Sequence, residues 1–215
     1  MSNDALKAGI ELADELRAIG RALIEHEVDA EAARGALEQA RRIRPLLDGA
    51  RRRRWYESDE PNIIESDTAE SFDALSPVRG RLNPVAPPLQ MKLATREDGS
   101  RFVLGQARLS DLYEGPPRGV HGGIVAALFD EILGAAMGLA PPPGVTATLE
   151  VDYHHLTPID EELRLEAWVV EERGRRVFAQ ATCHAGETLT ARAKALFMRV
   201  DFKAVEDRMR ARPKT

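Results

Sequence analysis

The sequence predicts an α+β fold in which a curved antiparallel sheet wraps around one long central helix, with a helical extension ahead of it. Two observations carry most of this. Four runs after residue 144 alternate apolar and polar residues with period two, and one nearly unbroken apolar run of helical length, "GVHGGIVAALFDEILGAAMG", precedes them. The third observation is the size of the side chains on the apolar side of the strands. Ala179, Ala181, Cys183, Ala191, Ala193 and Ala195 leave room for a helix to approach the sheet closely.

Taken in order, the chain divides at composition changes into residues 1–54, 55–88, 89–202 and 203–215. In the first region Leu12, Leu16, Ile19 and Leu23, and later Ala33, Leu37, Ala40 and Ile43, recur three or four apart, which predicts two amphipathic helices. Asp29 stands where an N-cap would open the second. Between Arg41 and Arg54 there are seven arginines against one acid, Asp48, and the run Arg51–Arg54 ends the region. Residues 55–88 mix acids, serines and prolines without steady period and read as a linker wrapping the main domain. "LQMKLAT" and "RFVLGQARLS" flank "REDGS", whose Asp-Gly pair marks a hairpin. A helix of about 18 residues from Gly122 would span roughly 27 Å, enough to cross five strands about 4.8 Å apart. The strands that follow put Leu149, Leu165, Ala181 and Ala193 on a dry face. Thr146, Glu166, Gln180, Thr182, Arg192 and Lys194 fall on a wet one. The last thirteen residues form a charged tail.

Composition narrows the function. A net charge of −5 over 215 residues argues against global attraction to nucleic acid or to an anionic membrane. No stretch of about 18 apolar residues is free of charge, and the first apolar stretch contains acids, so a soluble, cytoplasmic protein without membrane association is expected. Cys183 is the only cysteine, which excludes an internal disulfide and a cysteine-based zinc site. His154, His155 and His184 lack metal-ligand spacing to an acid pair, so no metal is expected.

"GPPRGVHGGIVAALFDEILG", then "VTATLEVDYHHLTPI" and "GRRVFAQATCHAGETLTARAKALFM", resembles the hotdog-fold acyl-CoA thioesterases, in particular the phenylacetate-pathway and thioesterase-superfamily-member types. The resemblance covers about Leu89–Val200 and lies in His-Gly-Gly, an Asp nine residues after the His, and a Thr opening the next strand. It implies a hotdog fold and an acyl-CoA substrate. It implies that Asp130 is the catalytic carboxylate, that His121-Gly122-Gly123 is the helix start that binds the thioester carbonyl, and that Thr146 is the hydroxyl beside the carboxylate or its water. Some members carry an Asn six residues before the His; here that residue is Gly115.

The residues themselves allow more than one reading. Asp130 has Ala126, Ala127, Leu133 and Gly134 as helical neighbours, so its carboxylate must be partnered, protonated or at a cleft. It is either the solvated edge of the helix or a catalytic group, acting as general base on water or as nucleophile through an anhydride. Glu131 projects roughly 100° away around the axis and is placed with the substrate contacts. Free backbone N–H groups at Gly122 or Gly123 could stabilise an oxyanion. Gly123 and Asp130 are separated by about 10.5 Å along the helix, whereas one thioester needs both groups near 3 Å. The site is therefore predicted to be composite, in a homodimer or dimer of dimers. His121 is read as a structural hydrogen-bonder at the helix start or as a proton-transfer group, and Thr146 as an orienting hydroxyl or an ordinary strand residue. Arg173, Arg175 and Arg176, with Arg192 and Lys194 behind them, are candidates for the CoA phosphates, or solvated turn and surface charges. No cofactor is expected, CoA being part of the substrate.

The arginine-rich end of the helical region allows an alternative, an acyl-CoA-sensing DNA-binding regulator whose hotdog domain is not catalytic. Against it, residues 1–54 hold 11 basic and 10 acidic residues, and the arginines follow the second helix rather than lining a recognition helix. The plainer reading is an oligomerisation pair docked through its arginines on an acidic neighbour.

Overall fold

The two apolar stripes at the start of the chain form helices α1 (Asn3–Glu25) and α2 (Ala30–Ile43), as their spacing requires. The structure, a computed structural model, describes residues 3–51, 73–142 and 144–201. Arg52, Arg53 and Arg54, residues 55–72 of the linker and the 203–215 tail lie outside the described residues. Asp29 is the N-cap of α2, its carboxylate accepting from the N–H groups of Glu31 (2.9 Å) and Ala32 (2.8 Å). No residue of α2 is buried. Helix α1 instead docks on the main domain. Ala13 is buried, Arg17 donates to the Asn83 carbonyl at 2.9 Å, and Arg21 pairs with Asp111 at 3.2 Å. A Cβ at Gly9 would stand 2.7 Å from Leu82 Cδ2, so a small residue is what lets α1 close onto the wrapping segment.

The main domain is one antiparallel sheet of six strands in the order β1-β2-β4-β5-β6-β3. These are β1 (Gln90–Thr95), β2 (Arg101–Arg108), β3 (Gly144–Tyr153), β4 (Glu162–Arg173), β5 (Arg176–Ala185) and β6 (Thr188–Arg199). The β1–β2 turn is built on Asp98-Gly99, with Gly99 at φ 82° and the Ser100 N–H donating to the Asp98 carboxylate at 2.8 Å. Helix α3 (Gly122–Met137) lies across the dry face and contacts β2, β3, β4, β5 and β6. It buries Val125, Leu128, Phe129, Ile132, Leu133, Ala136 and Met137. The alanines of β5 and β6, together with Leu163, Leu165, Val177 and Phe197, close the other side of that core. The approach is tightest at Gly105 on β2, where a Cβ would meet Ile132 Cδ1 at 2.8 Å.

Strict alternation fails at three places, and each is a register shift that helps the sheet to curl: between Thr146 and Thr148, between Val169 and Glu171, and between Cys183 and His184. At the third, Thr190 is drawn inside, its hydroxyl donating to the Cys183 carbonyl at 3.2 Å. The first corrects the face assigned to Thr146. The alternation put Thr146 on the wet face, but the bulge at Ala147 reverses the parity upstream of it. Thr146 therefore pairs with buried Phe197 and shares the helix side of the sheet.

Strand β3 also departs from the expected dry face. It is the edge of the sheet next to β6, and most of its residues are exposed, including Val145 and Tyr153. The stripe of α3 that carries Gly123, Asp130 and Gly134 is exposed too. Within one chain, then, the sheet covers α3 on one side only.

Candidate functional site

The start of α3 is fixed by three contacts. The His121 N–H donates to the Tyr113 carbonyl (2.8 Å), the His121 carbonyl accepts from Ile124 and Val125, and the His121 ring caps the helix by accepting from the Gly123 N–H at Nδ1 (3.0 Å). This is the structural reading of His121. It requires Nδ1 to be unprotonated, so the ring proton sits on Nε2 and points away from the helix. It also narrows the oxyanion donors: the Gly123 N–H is occupied, whereas the Gly122 N–H has no partner among the described residues. Tyr153, which the sequence reasoning missed, crosses from β3 and donates its hydroxyl to the Gly122 carbonyl at 2.7 Å. It shares the parity of Leu149 in the alternation of β3, which carries no sign of this contact.

An open cleft of about 320 Å³ lies beside this helix start, lined by Pro116, Val120, Gly122, Tyr153, His154 and Leu156 among others. The loop entering it is tight. Arg118 has φ 60° and its N–H is held by the Glu114 carboxylate at 2.5 Å. A Cβ at Gly115 would lie 2.7 Å from His121 Cα. The Asn that some relatives place there has no room in this conformation, which gives the departure at Gly115 a physical reason.

Asp130 stands two turns further along α3, exposed, and accepts a hydrogen bond from the Thr146 hydroxyl at 2.9 Å. The bulge at Ala147 makes this contact possible, since without it the hydroxyl would point to the far side of the sheet. The acceptor-only demands of an ionised carboxylate are thus met on one side, and its remaining lone pairs face solvent. Asp130 does not line the cleft at Gly122. Eight residues, or about 12 Å of helix, separate the two.

Glu131, expected among the substrate contacts, has another partner in the structure. Arg79, from the wrapping segment, donates through Nε to Glu131 Oε1 at 2.5 Å and through a terminal nitrogen to Asp73 at 2.6 Å. Of the turn arginines, Arg173 pairs with Glu171 and stands 5.8 Å from the centroid of the Phe178 ring. Arg175 donates to the Arg199 carbonyl at 3.0 and 3.2 Å, which ties it to the fold. Arg176 is exposed and opposite Met198 of β6; register puts it level with the Thr146 end of β3, two strands away. Arg192 and Lys194 line a hollow with Trp168 on the outer face of the sheet, away from α3.

His155 contacts the Leu189 carbonyl through Nδ1 at 2.9 Å. Among the described residues no three of His, Cys, Asp and Glu converge as a metal cluster would, and no helix is long and apolar enough to cross a membrane. Cys183 is buried under the sheet, and burial pushes its thiol up, away from the reactive thiolate. On the described part of the helical extension Arg17 pairs with Asp14, Arg21 with Glu25 and Asp111, and Arg42 with Glu38.

Comparison with known proteins adds to this geometry. The family model described as "Thioesterase superfamily" matches residues 119–192, from the loop before α3 into β6. A Pseudomonas aeruginosa protein, PA0474, named as a candidate esterase, is 30% identical over 105 residues, 47% of this chain and 78% of the relative. The acyl-coenzyme A thioesterase THEM4 of Xenopus laevis is 34% identical over 89 residues; the matched part is 40% of this chain and 40% of that protein. Among solved structures, the thioesterase superfamily protein RHA08564 superposes with a TM-score of 0.72 at 28% identity, over 89% of this chain and 90% of the other.

Proposed function

The chain belongs to the thioesterase superfamily and is a thioester hydrolase, and from that premise we propose that it cleaves acyl-CoA thioesters at a site completed by a second copy of itself. The observation that carries the proposal is the division of the machinery along α3. A free Gly122 N–H opens on a cleft at one end, and an exposed carboxylate, Asp130, is held by Thr146 about 12 Å away. One thioester carbonyl needs its oxyanion donor and its attacking group each near 3 Å, so the two cannot serve it from one chain. The uncovered edge of β3 with its exposed Val145 and Tyr153, next to the uncovered stripe of α3, is the surface that a two-fold partner would cover. The pairing would bring Gly122 of one protomer towards Asp130 of the other, twice per dimer.

In this site the Gly122 N–H donates to the thioester oxygen and stabilises the negative charge that develops there. Asp130, positioned by the Thr146 hydroxyl, takes a proton from water as the water oxygen attacks the carbonyl carbon. The tetrahedral intermediate collapses with cleavage of the C–S bond, and the CoA thiolate leaves and is protonated. The nucleophilic variant replaces water by Asp130 itself: the carboxylate oxygen bonds to the acyl carbon, the thiolate leaves, and water then hydrolyses the anhydride. His121 serves as the helix cap. Arg176 is the turn cation left for the CoA phosphates, with Arg173 paired to Glu171 at the surface and Arg175 held by the Arg199 carbonyl. CoA enters as part of the substrate and no separate cofactor takes part in these steps. Incubation with short, long and aromatic acyl-CoAs should release free thiol from at least one class, read with a thiol-reactive dye. If none of them yields thiol above the uncatalysed rate, the substrate assignment is wrong.

A further inference from the structure

Two adjacent carboxylates on one helix, one of them catalytic, pose an electrostatic problem that the reaction scheme does not address. A charge next to Asp130 opposes its ionisation, and Asp130 must be ionised to act as base or nucleophile. Glu131 is that charge. The structure pairs it with Arg79 at 2.5 Å, where the side chains are only 29% and 21% exposed, so solvent screens the pair less than it would at an open surface.

The guanidinium is delivered by a tightly built turn. The Ser76 hydroxyl accepts from the N–H groups of Val78 and Arg79 at 3.2 and 3.3 Å, and the Leu82 N–H donates to the Ala74 carbonyl at 2.8 Å. A Cβ at Gly80 would lie 2.4 Å from the Ser76 carbonyl oxygen, so only glycine fits this conformation. Val78 packs against the core, and α1 clamps the far side through Leu82 and the Asn83 carbonyl. Few other charges face this part of α3. The residues that β2, β4 and β5 turn towards the helix are apolar, glycine or the buried Cys183; β6 adds Thr190 and, beyond the end of the helix, Arg199, which pairs with Glu172 and donates to the Ala140 carbonyl; β3 contributes Thr146 and Tyr153, and the helix itself carries only Asp130 and Glu131. The wrapping segment supplies Arg79 and Asp73. Arg79 thus pairs with two carboxylates, one of which, Glu131, adjoins Asp130 on the helix.

Resting on the assignment of Asp130 as the catalytic carboxylate, we propose that Arg79 is a positioning residue that neutralises Glu131, offsetting a neighbouring negative charge that opposes ionisation of Asp130, and that fixes the wrapping segment beside it. Glu131 on this reading anchors that segment and does not touch substrate.

The test uses the full chain and the variants Arg79→Gln, Arg79→Lys, Glu131→Gln and Arg79→Gln/Glu131→Gln. Each is followed by the titration of the Asp130 carboxyl carbon, observed by NMR with carboxyl-labelled aspartate and assigned with Asp130→Asn. In parallel, the acidic limb of kcat/KM is recorded on an acyl-CoA. Arg79→Gln should move the Asp130 midpoint and the acidic limb up by about 0.4 to 1.5 units, the range for unit charges roughly 8 Å apart between the dielectric of water and that near a protein surface. Arg79→Lys and the double variant should both return the midpoint to near the native value, because the first restores the cation and the second removes the charge that needs it. An unmoved midpoint in Arg79→Gln, a double variant displaced as far as the single one, or a loss of rate uniform in pH would each overturn the proposal. The NMR arm needs no substrate. A protein that cleaves no acyl-CoA but shows the shift and its rescue refutes the proposed activity and leaves the compensation standing.

Discussion

Gly105 is where the sheet and α3 come closest, and adding one methyl group there tests the packing that positions Asp130. A Cβ at Gly105 would lie 2.8 Å from Ile132 Cδ1 and 3.3 Å from both Leu165 Cβ and Leu89 Cδ1. Ile132 and Leu165 are fully buried and Leu89 nearly so, so the neighbour that must yield has no solvent to move into. Elsewhere a Gly→Ala change in a strand gains about 0.5–1 kcal/mol from lost chain freedom in the unfolded state. Overpacking a filled core costs about 1–3 kcal/mol, and contacts on three sides decide in favour of the cost. Gly105→Ala should therefore lower Tm by several degrees, at roughly 2–4 °C per kcal/mol for a chain of this size. It should also lower the rate, because Ile132 follows Asp130 by two residues on the same helix. Ile132→Val deletes the Cδ1 that the new methyl meets and alone costs about 0.5–1.5 kcal/mol. The double variant, measured by urea unfolding, should fall close to Ile132→Val alone, with a coupling of about 1 kcal/mol. A Gly105→Ala protein as stable as the parent, or strictly additive losses in the double variant, would show that this contact does not limit the packing of α3.

Thr146→Val removes the hydroxyl that Asp130 accepts from, and should lower kcat/KM about tenfold or more while Thr146→Ser keeps most of it; equal losses in the two would show that the hydroxyl is not what matters. His121→Ala removes the helix cap and should cost about 1 kcal/mol in denaturant unfolding, with a smaller fall in kcat/KM than loss of the Asp130 carboxylate. An equally steep fall would restore the proton-transfer reading of His121. Burial raises the Tyr113 phenol above its ordinary value of 10.0, against a smaller opposing pull from Arg17. The unfolded state then ionises first, so stability is full below about pH 10 and declines as pH rises towards the folded value. Tyr113→Phe should flatten that alkaline decline in thermal melts while losing, at neutral pH, the bond to the Ala86 carbonyl.

The elements were legible because the forces that make them are local. The stripes of α1 and α2, the Asp29 cap, the Asp-Gly turn and the alternation of β4, β5 and β6 each show within a few residues. Two contacts of the candidate site were legible. Asp130 and Thr146 do meet, and the helix start does leave an amide free. What escaped the sequence depends on partners distant along the chain. The parity of Thr146 does not follow from the alternation because the bulge is set by pairing with β6, and Ala147 is unremarkable in the alternation. Arg79 lies 52 residues from Glu131, inside a stretch whose irregular composition shows only that it is a linker. The exposure of β3 is likewise a property of strand order, and periodicity cannot show which strand ends at the edge.

The decisive comparison is thiol release by Asp130→Asn beside the parent protein, on an acyl-CoA that the parent cleaves, with the mass of both checked in solution. The substitution keeps the shape of the side chain and its acceptor for Thr146 and removes the negative charge and the basicity. Turnover should fall about 10²–10⁴-fold, the range lost with a general base, in a protein that still assembles as a dimer. An Asp130→Asn protein that releases thiol at the parental rate would remove this carboxylate from the chemistry, and the composite site with it.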